Sequence, residues 1–141
     1  LPTGDGGRVK LEALAGRPVV IYFYPKDDTS GCTREAQDFT ALLPRFRAAG
    51  AEVVGVSPDS AKSHARFAGK YEIPFPLASD EDKAASAAWG VWVEKSMYGR
   101  KYMGVERTTV LIGRDGRIAR VWRKVKVPGH AEAVLKAVES L

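Results

Sequence analysis

The stretch Pro18-Val-Val-Ile-Tyr-Phe-Tyr24 is followed by a polar segment, Pro25-Lys-Asp-Asp-Thr-Ser-Gly31, which leads directly to Cys32. The first stretch is a continuous run of β-branched and aromatic residues, which is typical of a central strand covered on both faces. After Cys32 the apolar residues recur every three or four positions, which predicts an amphipathic helix that ends near Gly50. We expect a kink or break at Pro44, because proline has no backbone N–H to donate. A buried strand, a short loop and a helix therefore form the predicted centre of the fold.

Strand and helix patterns alternate along the rest of the chain. Residues 52–57 are typical of a second buried strand, and the segment Pro58-Asp59-Ser60 offers capping chemistry for a helix that continues to about Tyr71. The Asp-Gly turn within 113–116 separates two β-rich runs and predicts a hairpin, and a helical pattern occupies 129–141. Weaker patterns predict short strands at 9–11 and 75–78, a helix at 80–89 and a loop at 94–104. The sum is an α/β fold with a central mixed sheet flanked by helices.

Length and composition limit the class of protein. The chain has 141 residues, which fits a single domain over 1–141 with its own core. No run approaches the roughly 18 apolar residues of a membrane span, so we expect no membrane partner. The net charge is +5, but the basic residues are mostly scattered, which favours a solvated surface over nucleic-acid binding. The sequence begins at Leu1 rather than Met, so whether a targeting segment preceded it is left open.

Cys32 is the single cysteine of the sequence, so no internal disulfide can form. This favours a reducing, cytoplasmic setting over a disulfide-stapled secreted domain. Cys32 lies where the predicted helix begins, and there the unpaired backbone N–H groups and the helix dipole both stabilise a thiolate. A free cysteine is more often a small buried hydrophobe, but a packing cysteine rarely lies in so polar a segment. The polar neighbours are Asp27, Asp28, Thr29, Ser30 and Thr33.

Other cysteine and phosphate chemistries do not fit the spacing. A cysteine-dependent phosphatase needs an arginine six positions after its nucleophile, where this chain has Asp38. A redox pair of the Cys-x-x-Cys type needs a second cysteine where this chain has Glu35, and the sequence contains no Gly-x4-Gly-Lys-Ser/Thr phosphate loop. One cysteine and two scattered histidines, His64 and His130, do not give metal-ligand spacing. We therefore expect no metal or cofactor, and we assign both histidines structural or solvent-facing roles.

The segment 22–35, Tyr-Phe-Tyr-Pro-Lys-Asp-Asp-Thr-Ser-Gly-Cys-Thr-Arg-Glu, resembles the active-site segment of peroxiredoxins. Its core pattern, Pro-x-x-x-Thr-x-x-Cys, is met by Pro25, Thr29 and Cys32. The extended form is similar to the bacterioferritin-comigratory, or Q-type, branch of that family. The resemblance implies a thioredoxin-like fold and the reduction of hydrogen peroxide or organic hydroperoxides. It extends, in the same order along the chain, to the segments 56–59, 63–67 and 95–109.

The resemblance also implies roles for individual residues. Cys32 is similar to the peroxidatic cysteine, which attacks the peroxide and becomes a sulfenic acid. Thr29 would hydrogen-bond the thiolate and the peroxide, and Pro25 would shield the sulfur from bulk water. Arg107 is similar to the active-site arginine, whose charge would lie where the leaving oxygen becomes negative. Glu35 matches the pattern as well, and two interpretations stay open: it complements the helix dipole, or it orients Arg107.

One position departs from the family pattern. Many members of the branch carry a second, resolving cysteine five positions after the first, where this chain has Gln37. We therefore predict a one-cysteine route in which an external thiol (thioredoxin, glutaredoxin or a small thiol) reduces the sulfenic acid. The alternative function is a redox sensor in which Cys32 is oxidised without turnover. Because the branch is often monomeric, we expect a monomer.

Overall fold

A computed structural model describes residues 1–141, except for the side chains of residues 11 and 12. The strands are β1 (Val19–Phe23), β2 (Glu52–Ser57), β3 (Leu77–Ser79), β4 (Trp92–Met97), β5 (Arg100–Val105), β6 (Thr108–Ile112) and β7 (Ile118–Trp122). The helices are α1 (Ser30–Ala48), α2 (Ala61–Tyr71), α3 (Ala84–Ala88) and α4 (His130–Glu139), and a 3-10 helix covers Leu11–Leu14. Along the chain, the predicted alternation of strands and helices is confirmed.

The central sheet has the strand order β3-β2-β1-β6-β7. β2 runs parallel to both β1 and β3, whereas β6 runs antiparallel to both β1 and β7. The sheet is therefore mixed, as predicted, and the hairpin at 113–116 joins β6 to β7. β1 is the middle strand, so α1 begins close to the centre of one edge of the sheet.

The residues of β1 point alternately into two apolar cores, one on each face of the sheet. Val20 and Tyr22 join the core formed with α1, α2 and α4. Val19, Ile21 and Phe23 join the second core, which the N-terminal segment and the region around α3 and β4 cover. All five residues are buried, as the continuous apolar run predicts. None of the helices in the described chain has the length and apolar character that a membrane crossing requires.

The prediction of a loop at 94–104 is wrong. β4 and β5 form an antiparallel hairpin there, joined by Tyr98 and Gly99. Both joining residues have positive φ, 52° and 77°, as in the two-residue turns that suit hairpins. The hairpin escapes sequence prediction because many of its side chains are exposed, and the exposed ones mix charged residues with Met97 and Met103, so no alternating apolar pattern marks it.

Three smaller predictions are also corrected. α1 continues to Ala48 through Pro44, so the predicted break is wrong; Leu43 and Phe46 are buried on either side of it. No strand forms at 9–11 among the described backbone, because a 3-10 helix begins at residue 11. The helix predicted at 80–89 is shorter and covers Ala84–Ala88; Asp80 lies before it, and its carboxylate accepts hydrogen bonds from the N–H groups of Ala85 and Ser86.

Candidate active site

Cys32 is the third residue of α1, and its side chain is buried, with 1% of its surface exposed. The guanidinium of Arg107 donates from Nη2 to Cys32 Sγ at 3.2 Å. Gly31 allows this approach, because a Cβ at that position would lie 3.2 Å from Arg107 Nη2. The sulfur therefore lies beside the permanent positive charge of Arg107, close to a helix N-terminus.

Glu35 lies one turn further along α1 and holds the same guanidinium. Arg107 Nη1 donates to Glu35 Oε1 at 2.7 Å, and Glu35 is 1% exposed. Burial raises the pKa of Glu35 to about 7, because the cost of desolvating the carboxylate exceeds the favourable effect of Arg107. Burial lowers the pKa of Arg107, but the negative charges of Glu35 and Cys32 outweigh it and the net shift is upward. Of the two interpretations of Glu35, the geometry favours the orientation of Arg107, since Glu35 lies beyond the first turn.

Thr29 and Pro25 lie in the loop that connects β1 to α1. Thr29 is the exposed N-cap residue of α1, and its hydroxyl donates to the carbonyl of Lys26 at 2.9 Å. The expected hydrogen bond from this hydroxyl to the Cys32 sulfur is therefore not made in this structure, because its single proton is engaged elsewhere. Pro25 is half-buried at the end of β1. Both residues lie in the segment that delivers Cys32.

The charge of Arg107 also acts on two further titratable groups, His130 and Lys95. Burial lowers the pKa of His130 to about 4, and the charge of Arg107 lowers it further in the same direction. His130 is thus neutral and hydrogen-bonds Thr109 through Nε2 and Oγ1 at 2.7 Å, which agrees with the structural role predicted for it. Burial and the charge of Arg107 also lower the pKa of Lys95 on β4, so the β4–β5 hairpin borders the site.

Asp27, Asp59 and His64 offer three ligand atoms within 4.8 Å of one another, the geometry of a small cation site. These atoms already have hydrogen-bond partners. Asp59 Oδ2 accepts from the Asp27 N–H at 2.8 Å and from Ser57 Oγ at 2.7 Å, and His64 Nδ1 lies 2.7 Å from Asp27 Oδ2. A cation would have to displace them, so the cluster is a hydrogen-bond network. Sequence reasoning missed it, because neither acid differs from an ordinary loop residue in its pattern.

Known proteins are similar to this chain in both sequence and fold. A profile of the AhpC/TSA family matches residues 1–121. Peroxiredoxin Bcp of Xanthomonas campestris pv. campestris is 51% identical over 140 residues, which cover 99% of this chain and 88% of that protein. Peroxiredoxin Bcp of Bacillus subtilis is 43% identical over 139 residues, covering 98% and 88% of the two chains. A solved structure of Xanthomonas campestris peroxiredoxin Q superposes with a TM-score of 0.95 at 51% identity, over 99% of this chain and 89% of that one.

The likeness in fold also reaches a distant structure, a mutant of peroxiredoxin 6 of Arenicola marina, with a TM-score of 0.83 at 18% identity. The predicted thioredoxin-like fold is confirmed by these structural neighbours. The chain belongs to the AhpC/TSA family, in its Bcp or peroxiredoxin Q branch, and is a thiol-dependent peroxidase.

Proposed function

We propose that residues 1–141, acting as one domain, reduce hydrogen peroxide and organic hydroperoxides through a Cys32 sulfenic acid that an external thiol resolves. The observation that carries this proposal is the 3.2 Å contact between Arg107 Nη2 and the Cys32 sulfur, with the same guanidinium held by Glu35 at 2.7 Å. Organic hydroperoxides are included because a relative, the Xanthomonas campestris bacterioferritin comigratory protein, is described as having alkyl peroxide reduction activity.

The chemical step is the attack of the Cys32 thiolate on one oxygen of the peroxide. An S–O bond forms, the O–O bond breaks, and its electron pair leaves with the second oxygen, which takes up a proton as water or alcohol. Cys32 is thereby oxidised to a sulfenic acid while the peroxide is reduced. Arg107 supplies fixed positive charge and N–H donors beside the reacting sulfur, so it stabilises the negative charge that the leaving oxygen develops.

Thr29 and Pro25 complete the proposed site. Because the Thr29 hydroxyl donates to the Lys26 carbonyl, its oxygen lone pairs are free to accept a hydrogen bond from the peroxide O–H. This role for Thr29 is as an acceptor from substrate rather than as a donor to the thiolate. Pro25 is half-buried and presents no N–H, so it limits the access of water to the sulfur without adding a competing donor.

The resolving step uses a thiol from outside the chain. Cys32 is the only cysteine of the sequence, and the exposed Gln37 stands five positions after it, where the family resemblance implies a resolving cysteine in other members. An external thiol attacks the sulfenic sulfur and releases water, and a second thiol then breaks the mixed disulfide to restore Cys32. Thioredoxin, glutaredoxin or a small thiol can supply these groups. Since the sulfur is buried, attack by a protein thiol requires the first turn of α1 to open.

We further propose that the protein works as a monomer in a reducing, cytoplasmic compartment. The groups assigned to the chemistry, Cys32, Thr29, Arg107 and Pro25, all come from one chain, so the site needs no second copy. The +5 net charge is assigned to a solvated surface rather than to nucleic-acid binding.

Steady-state consumption of hydrogen peroxide, with thioredoxin or dithiothreitol as reductant, tests the proposal. We expect many turnovers per protein molecule and complete loss of activity in Cys32→Ser. Consumption that stops after one equivalent of peroxide would contradict turnover and favour the redox sensor. Activity that survives Cys32→Ser would contradict the assignment of Cys32.

A further inference from the structure

Asp27, in the loop between β1 and α1, has a buried carboxylate that accepts hydrogen bonds on both oxygens. Tyr24 OH donates to Asp27 Oδ1 at 2.7 Å, and Ser63 Oγ donates to Asp27 Oδ2 at 2.7 Å. His64 Nδ1 also lies 2.7 Å from Asp27 Oδ2. The side chains of His64 and Asp27 are 0% and 4% exposed, so water does not compete for these bonds.

The partners of His64 determine where its protons lie. Nε2 is 3.0 Å from the carbonyl oxygen of Ala78, which can only accept, so Nε2 carries a proton. Nδ1 lies 2.7 Å from Asp27 Oδ2, so each ring nitrogen of His64 faces an oxygen of the protein and neither faces solvent.

Asp27 is also fixed through its backbone, because its N–H donates to Asp59 Oδ2 at 2.8 Å. Side chain and main chain of one residue are thus tied to α2 and to the turn before it. Asp27 stands two residues after Pro25 and two before Thr29. Contacts that hold Asp27 in place therefore also hold the loop that positions Pro25 and Thr29 near Cys32.

We propose that His64 is a positioning residue: its buried ring holds Asp27 through Nδ1, and through Asp27 it sets the geometry of the 25–31 loop for the attack of Cys32 on peroxide. This inference rests on the proposed function. A buried polar pair is weak evidence for stability by itself, so a change in the reaction of Cys32, rather than in stability alone, is the relevant measurement.

The contact between His64 Nδ1 and Asp27 is tested by ¹⁵N NMR of the histidine side chains in the wild type and in Asp27→Asn. We expect the ring ¹⁵N signals of His64 to shift, whereas those of His130, which hydrogen-bonds Thr109, should stay in place and serve as an internal reference. His64 signals that do not move would overturn the contact, whatever the enzyme does with peroxide.

The positioning role is tested by two rates for Cys32, its reaction with hydrogen peroxide and its alkylation by iodoacetamide. His64→Phe removes both nitrogens, and we expect the peroxide rate to fall about ten- to a hundredfold while alkylation falls much less. Asp27→Asn, whose new amide can donate to Nδ1 of a neutral imidazole, should keep more of the peroxide rate than His64→Phe. Ser60→Ala is the matched control, because it removes the α2 cap, which donates nothing to Asp27.

Urea unfolding of each variant checks that the comparison is made between folded proteins. If His64→Phe does not fold, the peroxide rate of Asp27→Asn and the NMR result decide. The positioning role would be overturned if His64→Phe lost the peroxide and alkylation rates equally, if it lost neither, or if Ser60→Ala showed the same loss. The proposed function would still stand in each case, provided that the wild type reacts with peroxide. A wild type that does not react with peroxide overturns the proposed function itself, and the positioning role with it.

Discussion

Two buried side-chain pairs hold the segment that carries Cys32, and they differ in the number of hydrogen-bond donors that they leave free. The Arg107–Glu35 and His64–Asp27 contacts are both 2.7 Å long. Arg107 is 17% exposed and has a second arm that reaches the sulfur, whereas His64 is fully buried and both its nitrogens are engaged. The Arg107–Glu35 pair can therefore stabilise negative charge that develops on the reacting atoms. The second pair can only hold a loop in place.

The difference separates two ways in which a buried pair contributes to a site. A guanidinium has five N–H donors in a planar fork, so it can bind a carboxylate and still have donors left for the reacting atoms. A histidine ring has only two nitrogens, and in His64 a carboxylate and a carbonyl engage both. Substitutions at the first pair should therefore alter the chemical step directly. Substitutions at the second should act through the position of Thr29 and Pro25.

The largest effect is expected when the first pair is broken at Arg107. Arg107→Ala should lower kcat/KM for hydrogen peroxide by about 10²–10³-fold, because a preorganised donor at the developing negative charge is lost. Alkylation by iodoacetamide, which develops no such oxygen anion, should slow much less. Arg123→Ala removes an arginine that is 56% exposed and is the control, expected to leave both rates unchanged. Equal slowing of both reactions in Arg107→Ala would mean that the arginine only tunes the thiol.

A smaller effect is expected in the loop that the second pair holds. Thr29→Val keeps the shape of the side chain but removes the hydroxyl, so the peroxide rate should fall about tenfold, the loss of one hydrogen bond. Thr29→Ser keeps the hydroxyl and should retain most of the activity. Stopped-flow measurement of Cys32 oxidation distinguishes the two. A valine variant as fast as the serine variant would contradict a role for the hydroxyl.

Glu35 should make stability depend on pH. Burial raises its pKa from 4.5 to about 7, so its favourable contribution is complete below the unfolded pKa and is lost as the pH rises through about 7. Glu35→Gln mimics the protonated carboxyl without titrating. The free energy of unfolding of the wild type, relative to Glu35→Gln, should therefore fall by on the order of 3 kcal/mol between about pH 5 and about pH 8. Urea titrations at both pH values measure it, and a difference that stays constant or grows contradicts the direction.

The smallest effect is expected at Asp28, the neighbour of Asp27 in the same loop. Its carboxylate accepts from Lys70 Nζ at 2.9 Å and from Tyr71 OH at 2.6 Å, but it is 45% exposed and Lys70 is 58% exposed. Solvent and salt screen such contacts. Asp28→Asn should therefore leave the peroxide rate and the urea midpoint unchanged, in contrast to Asp27→Asn. Equal loss in the two variants would show that burial does not separate the roles of these adjacent acids.

Local pattern predicts those parts of the molecule whose signal is carried by neighbouring residues. The strand before Cys32 and the helix after it were predictable, because burial on one or both faces leaves a periodic trace. The hairpin at 113–116 was predictable from its Asp-Gly turn, although β7 is largely exposed. The β4–β5 hairpin was not, since exposed strands lack that trace. The helix passes through Pro44 because burial on both sides of the proline outweighs the cost of one missing hydrogen bond.

In the candidate site, too, local sequence predicts some residues and misses the contacts of others. Cys32 could be proposed from its own surroundings, but Arg107 lies 75 residues away, and only the family resemblance placed it beside the sulfur. The contact of Glu35 with Arg107 spans 72 residues, and that of His64 with Asp27 spans 37. Contacts at such separations are made by the fold, so no local pattern distinguishes a histidine buried on a carboxylate from one that faces solvent.

Mass spectrometry of the protein after one equivalent of hydrogen peroxide, with a reagent that traps sulfenic acids, shows directly whether peroxide oxidises Cys32 to a sulfenic acid. Cys32 is expected to be trapped as a sulfenic acid in nearly every molecule, and no adduct is expected in Cys32→Ser. A Cys32 thiol that remains free while peroxide persists would contradict the role of Cys32 as the peroxide-reducing residue.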